Sequence, residues 1–488
     1  MNGDTRLAGF FASFPSYQET LELDALRDRD YARLDLSKQV YLDYTGAALY
    51  GDSQVTQHLE LLRKNVFGNP HSANPSSIAM TDLVERTRRL TLEYFSAQDD
   101  YHLVFTLNAS GALKLVGEAF PFEEGSRFLA TYDNHNSVNG IREFARKRGA
   151  TVEYAPLEWP DLRIDEGTLD AMLDGVAGAS LFAFPAQSNY SGVKHALSWV
   201  GRAKQKGWRV LLDAAAYVPT NRLMLSEVKP DFVSVSFYKM FGYPAGLGAL
   251  LIHKEAMPLL KRPWFAGGTV NFTTVQAQAH VLSRGEAAFE DGTINYLSIP
   301  AVEIGLAHLN AIGMDKIQKR ITCLTGWLLA ELQLLKHANG KALLKLHGPK
   351  DTTMRGGTIT FNLYDPDGLR LDYRRIEEVA GQAGISLRTG CFCNPGANES
   401  AERLDAEDIA AGLTLGEELN LPNFVKLMDG QGKNKSAGAV RVSLGLATNF
   451  NDAAKLMDFV SQFLNQSRVA IGEVTVEDDN CRVIRDSS

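Results

Sequence analysis

The stretch RVLLDAAAYVPTNRLMLSEVKPDFVSVSFYKMFGYPAGLGALL, residues 209–251, holds three short β-rich runs, RVLLD, DFVSVS and GLGALL, each followed by small or polar residues. Short apolar runs bounded by turn signals read as buried strands. Asp213 closes the first run and Lys239 follows the second. In an open α/β sheet, ligands bind outside such strand ends.

Outward from this stretch, one rhythm of strand, turn and helix fills the chain from about residue 100 to 255. It begins at YHLVFTLNASGALKLVGEAF and runs through RFLATYDNH, SLFAFPAQSN and, at its far end, GLGALLIHK. The rhythm predicts parallel strands with helical crossovers. The segment VNGIREFARKRGA, residues 138–150, places Ile141, Phe144 and Ala145 at helical spacing, and Gly149 suits a helix C-cap. After about residue 300 the texture changes to two helical segments, a strand-like GGTITFNLY, a cysteine stretch and a final AVRVSLG strand. That order reads as a second, α+β domain. The polar segment MDGQGKNKSAG, residues 428–438, reads as a flexible loop.

Composition narrows the function classes. The 488 residues are 45% hydrophobic and 22% charged, with a formal net charge of −8. No basic run interleaved with aromatics appears, which argues against a nucleic-acid surface. No apolar run reaches membrane-spanning length, and the N-terminus lacks the pattern of a secretory leader, so the expected location is the cytoplasm. Four cysteines, Cys323, Cys391, Cys393 and Cys481, are too sparse for a disulfide framework.

Asp213 alone could be a helix cap and Lys239 a solvated surface residue. Lys239, however, sits in SFYKMFGYPAG, whose apolar neighbours desolvate an ammonium and favour the nucleophilic amine. Such an amine can bind pyridoxal 5′-phosphate covalently, while a carboxylate at Asp213 pairs with the protonated ring nitrogen. Ala109, Ser110 and Gly111 in TLNASGALKLV lie between a strand and a helix, where free N–H groups favour a phosphate. Ser236, three residues before Lys239, adds a hydroxyl. His135 follows a strand and suits either packing or a place against a cofactor ring. Asn189 ends another strand, where it can reach the cofactor's phenolic oxygen or the substrate.

The stretch LRTGCFCNPG, residues 387–396, puts Cys391 and Cys393 one residue apart. A closed zinc site needs about four ligands, and no further cluster of Cys or His stands near them. A disulfide across so short a span is strained. Buried structural thiols and a reactive thiolate remain.

In order along the chain, YLDYTGAALY, GNPHSANPSS, DNHNSVNGIREFA, PAQSNYSG, LLDAAAYVPT, VSFYKMFGYPAGLGALL, FEDGTINYLSIPAV, LRTGCFCNPGA and AVRVSLG resemble the class V aminotransferase-like family. Within it they are most similar to the cysteine-desulfurase-like domain of molybdenum cofactor sulfurases. The resemblance runs from about Tyr41 to the last helix, and its lysine and cysteine motifs are highly specific. It implies the α/β fold of pyridoxal-phosphate-dependent transferases, fold type I, with a large, mostly parallel sheet domain at 40–300 and a small α+β domain from 1–39 plus 301–488 that carries the cysteine loop.

By the same resemblance, Lys239 holds the cofactor, Asp213 is the ring-nitrogen partner, His135 stacks on the ring, and Ala109, Ser110 and Ser236 contact the phosphate. Arg388 binds the carboxylate of L-cysteine through a bidentate pair, and Cys393 accepts its sulfur, its thiolate favoured by the arginine. A homodimer is implied, with Thr269 of AGGTV completing the neighbour's site. The implied activity is a cysteine desulfurase passing sulfur to an acceptor protein or the molybdenum cofactor, with no metal of its own. A pyridoxal-phosphate lyase or aminotransferase acting on another amino acid is the alternative.

Ala216 and Tyr238 stand where many desulfurases have glutamine and histidine, and molybdenum cofactor sulfurases share such replacements. Asn108 and Asn398 stand where that branch has glycine and often a further cysteine. Eukaryotic molybdenum cofactor sulfurases carry a C-terminal cofactor-binding domain, and this chain is expected to stop before it.

Overall fold

The computed structural model describes residues 3–433, 435, 437–472, 474–476 and 483–484. Cys481 lies outside the described residues, as do Asn434 and Ser436 of the expected loop.

Seven strands form the central sheet: β1 Tyr101–Thr106, β2 Arg127–Thr131, β3 Thr151–Ala155, β4 Leu181–Pro185, β5 Arg209–Asp213, β6 Phe232–Ser236 and β7 Gly248–His253, in the order β1-β7-β6-β5-β4-β2-β3. All neighbouring pairs are parallel except those of β7, which runs antiparallel to both β1 and β6. β4, β6 and β7 are buried at every position. That explains the apolar runs of β4 and β7, since a sheet covered on both faces has little place for polar residues, while the buried Ser234 of β6 is bonded to Asp213.

Sequence reading missed β3. Its pattern is exposed or half-buried at four of five positions, so as an edge strand it lacks the apolar run that marks its neighbours. The expected helix before it forms as Asn136–Asn139 followed by Ile141–Lys147, and Gly149 adopts φ +83° just beyond, a conformation costly to any residue with a Cβ.

A second sheet holds β8 Leu344–His347, β9 Thr358–Leu363, β10 Arg388–Gly390 and β11 Ala439–Ser443, in the antiparallel order β8-β9-β11-β10. The short strand Val40–Tyr41 pairs in parallel with Ile385–Ser386, and Asp43 bridges to Ser443. The N-terminal helices reach the same region through Arg6–Asp458, Arg27–Asp452 and Arg320–Asp24 ion pairs. One continuous apolar core joins the two sheets, running from Leu103 and Phe182 to Phe361 and Val440. This core fixes the cysteine-bearing sheet against the strand ends of the large one. No helix among the described residues is long and apolar enough to cross a membrane.

Candidate active site

The C-terminal ends of the parallel strands open into a cavity of about 320 Å³. Its walls include Ala109, Ser110, His135, Asn189, Asp213, Ser236 and Lys239. Six elements separated by up to 130 positions in the chain thus bring seven sequence-predicted residues to one space, as expected for a sheet whose loops gather at one edge.

Lys239 lies in the helix Phe237–Phe241 that follows β6 at once. Burial pushes its pKa down from the usual lysine value of 10.5; Asp213 opposes this, and the charges of Arg441 and Arg388 reinforce it. Desolvation is the largest influence, and among the described residues no carboxylate forms an ion pair with the amine. The result is a lysine predisposed to the neutral, nucleophilic form.

Asp213, the last residue of β5, is buried, and its Oδ1 accepts hydrogen bonds from the Ala215 N–H at 3.1 Å and the Ser234 hydroxyl at 2.9 Å. These two bonds use one oxygen and leave Oδ2 free of partners among the described residues. An orientated carboxylate with one open oxygen suits the protonated ring nitrogen of a pyridine.

His135 Nδ1 accepts the Ser137 backbone N–H at 3.1 Å. A backbone N–H is always the donor, so the neutral ring carries its proton on Nε2. Burial, then the charge of Lys239, lowers the His135 pKa below 6.5 and keeps the ring neutral. Ser137, missed by the sequence reading, lies 2.6 Å by its hydroxyl from that of Ser110.

Asn108 caps the helix Ala109–Ala119 by accepting the Gly111 N–H at 2.9 Å. The first N–H groups of that helix remain for an anion. Gly248 of β7 backs the turn so closely that a Cβ there would lie 2.7 Å from the Asn108 carbonyl carbon. The phosphate-type cradle therefore depends on a glycine in a different strand.

The cysteine loop is not extended. Phe392 and Cys393 both adopt left-handed backbone, at φ +56° and +54°, a conformation sparsely populated outside glycine. A set of hydrogen bonds holds it there. The Asn136 N–H donates to the Cys393 carbonyl at 2.7 Å. Asn394 donates to the Asp133 carbonyl at 2.7 Å and to Asn189 Oδ1 at 2.8 Å, and accepts the Ala397 N–H at 3.2 Å. Asn189 in turn donates to the Phe392 carbonyl at 2.8 Å. Its amide thus tethers the loop, an engagement the sequence reading did not foresee. Cys393 is exposed and Cys391 is half-buried, with burial pushing the Cys391 pKa up.

Arg388 donates through Nε and Nη2 to Asp43 Oδ2 at 2.8 and 2.6 Å, and Arg441 donates to Asp43 Oδ1 at 2.9 Å. Arg441 is buried, which pulls its pKa down to about 10, while the Arg388 side chain is 51% exposed. Neither Asp43 nor Arg441 stood out in the sequence, because they lie 398 positions apart. Thr269 is buried in its own chain, its hydroxyl bonded to the Ala266 N–H and carbonyl at 2.9 Å each, and it is not among the residues lining this cavity.

A mostly parallel sheet with a smaller antiparallel one packed against its ligand edge is a fold shared with solved cysteine desulfurases. The whole fold superposes on the cysteine desulfurase of Thermococcus onnurineus NA1 with a TM-score of 0.74, at 20% identity, covering 90% of this chain and 97% of that one. The cysteine desulfurase CsdA of Escherichia coli gives 0.70 at 17% identity, covering 90% and 98%. A cystine C–S lyase gives 0.67 at 16%, covering 88% and 99%. The chain belongs to the aminotransferase class V family, whose model matches residues 40–456.

Among its relatives are the molybdenum cofactor sulfurases of Solanum lycopersicum, 36% identical over 94% of this chain, and of Arabidopsis thaliana, 37% over 93%. That of Homo sapiens is 35% identical over 90%. The chain spans 60%, 59% and 51% of the lengths of these relatives.

Proposed function

We propose that the chain is a pyridoxal 5′-phosphate-dependent cysteine desulfurase, which moves sulfur from L-cysteine onto Cys393 as a persulfide and releases L-alanine. One observation carries the reading: the exposed Cys393 is not itself a lining residue, but its carbonyl accepts the N–H of Asn136, which stands between His135 and Ser137 in the wall of the cavity that holds Lys239 and Asp213. A lyase or aminotransferase needs the lysine and the carboxylate but not that thiol.

The residues fit the cofactor. Lys239 would be its covalent anchor, Asp213 Oδ2 would pair with its ring nitrogen, and His135 would supply the imidazole beside it. Ala109 and Ser110 at the helix N-terminus, with Ser236, are its phosphate ligands. When bound, the cofactor supplies an aldehyde for amines and a protonated ring that takes up the electron pair released at Cα. Arg388 holds the substrate carboxylate; Asp43 occupies its Nε side and leaves Nη1 for that purpose. Lys239, its amine kept neutral by burial, would act as the base for the α-proton. The Cys393 thiolate attacks the substrate sulfur, the new S–S bond forms, and the Cβ–S bond breaks with its electron pair left on carbon. Protonation at that carbon, and return of a proton from Lys239 to Cα, give alanine.

We further infer a homodimer formed through the segment that carries Thr269, although Thr269 itself is buried with its hydroxyl satisfied within its own chain, against the expectation that it contacts the neighbour's phosphate site. The segment carrying Thr269 exposes Trp264, Phe272, Val275 and Val281, at 50%, 62%, 93% and 58%, an apolar surface of the kind that marks an interface. The division at 40–300 and 1–39 plus 301–488 is supported by the two sheets falling on either side of it. The names of the relatives make the molybdenum cofactor the favoured destination of the sulfur, and three free cysteines among the described residues suit a cytoplasmic setting.

The test is C393A, incubated with L-cysteine. Bound-cofactor absorbance should persist while persulfide, trapped by a thiol-reactive probe, disappears. Undiminished persulfide contradicts the role of Cys393. The alternative lyase reading gains from the fold shared with a cystine C–S lyase, and it predicts substrate turnover that does not depend on Cys393.

A further inference from the structure

Gln187 is 3% exposed and lines the cavity next to Asp213 and Lys239. Its Oε1 is fully buried without a hydrogen-bond partner among the described residues. No described residue pairs with its Nε2 either. Buried amides in native proteins are nearly always paired, so an unpaired one at the wall of a ligand cavity marks a ligand contact. Which amide atom is nitrogen is interchangeable by a flip of the side chain, so a donor can face the cavity in either case.

Two further observations say what Gln187 faces. A small second cavity of about 30 Å³ lies beside the first, and Gln187, Ala215, Ala216 and Lys239 line both. Gln187 is thus at the lysine end of the site, away from Ala109 and Ser110 at the phosphate end. In pyridoxal 5′-phosphate the phenolic oxygen is on the ring carbon adjacent to the one that bears the aldehyde, the group a lysine binds. Asn189, the other amide at this wall, is turned to the cysteine loop: one Nδ2 hydrogen goes to the Phe392 carbonyl and Oδ1 accepts from Asn394, leaving one Nδ2 hydrogen uncommitted, whereas neither amide atom of Gln187 is engaged among the described residues.

We propose that Gln187, and not Asn189, donates the amide hydrogen bond to the phenolic oxygen of the cofactor; this rests on the cofactor proposed above. The two amides then divide the work. Gln187 sets the charge on the cofactor oxygen, and Asn189 sets the position of the thiol loop.

A donor at the phenolic oxygen favours the state in which that oxygen bears the full negative charge, so removing it makes the neighbouring lysine linkage hold its proton to higher pH. The experiment is a pH titration of the visible absorbance of the purified holoprotein for wild type, Gln187→Leu, Gln187→Glu and Asn189→Ala. Both Gln187 variants should move the spectral transition up by about one unit, a tenfold change in the proton equilibrium and the size of one hydrogen bond to a charged group. Asn189→Ala should leave the transition within about 0.3 unit of wild type, the scatter of such titrations against a one-unit effect. A transition unmoved by Gln187→Leu and Gln187→Glu overturns the proposal, as does a shift confined to Asn189→Ala. A wild-type protein that shows no cofactor absorbance after incubation with pyridoxal 5′-phosphate overturns the proposed function itself, a distinct result.

Discussion

The backbone N–H of Asn136 donates a 2.7 Å hydrogen bond to the carbonyl of Cys393. Asn136 follows His135, so this tether of the thiol loop to the cavity wall is a main-chain bond that no side-chain substitution at either position removes directly. The side chain that supports it is Asn394, fully buried with three hydrogen bonds.

Asn394→Ala should therefore release the loop without touching the cavity. It breaks three bonds and leaves Asn189 Oδ1, the Asp133 carbonyl and the Ala397 N–H without that partner, a cost of about 1–3 kcal/mol. Cofactor absorbance should stay at the wild-type level while the rate of persulfide formation falls at least tenfold, read by thermal denaturation and persulfide trapping in parallel.

The two arginines on Asp43 should behave differently. Arg388 is 51% exposed, so Arg388→Ala should lower stability by less than about 1 kcal/mol while raising KM for L-cysteine. Asp43→Asn leaves Arg441 buried without its counter-charge, a loss of about 3–5 kcal/mol. Denaturant unfolding of the two variants beside steady-state kinetics separates these effects.

Lys239 gives a pH dependence whose sign follows from burial. In the folded protein without cofactor its pKa lies below 10.5, the value that serves for the unfolded chain. Between those two values the unfolded chain binds more protons than the folded one, so stability rises with pH across that window. Lys239→Met should flatten the rise. Acylation of the Lys239 amine, followed by mass spectrometry, should also reach its half-maximal rate at lower pH than acylation of exposed lysines.

Much of the fold was legible because buried strands announce themselves. β4, β5, β6 and β7 are short apolar runs, and the chemistry of Asp213 and Lys239 stands directly at their ends. The edge strand β3 was not legible, since half its surface faces water and no apolar run betrays it. Among the site residues, His135, Ser110 and Ser236 could be placed from local sequence, because each is defined by the strand or helix end it occupies. Asp43, Arg441 and Asn394 could not, because their roles are bonds to residues hundreds of positions away. Asn189 is an instructive case: its strand-end position was readable, but its partners belong to a loop 203 positions later. Gln187 differs, since its signal is a missing partner, which only packed coordinates reveal.

The most direct measurement is a product balance on purified protein given L-cysteine and a thiol reductant, comparing wild type, Lys239→Ala and Cys393→Ala. The account predicts alanine and sulfide in equal amounts from wild type and neither from the two variants. Pyruvate in place of alanine, or alanine and sulfide undiminished by Cys393→Ala, would contradict it.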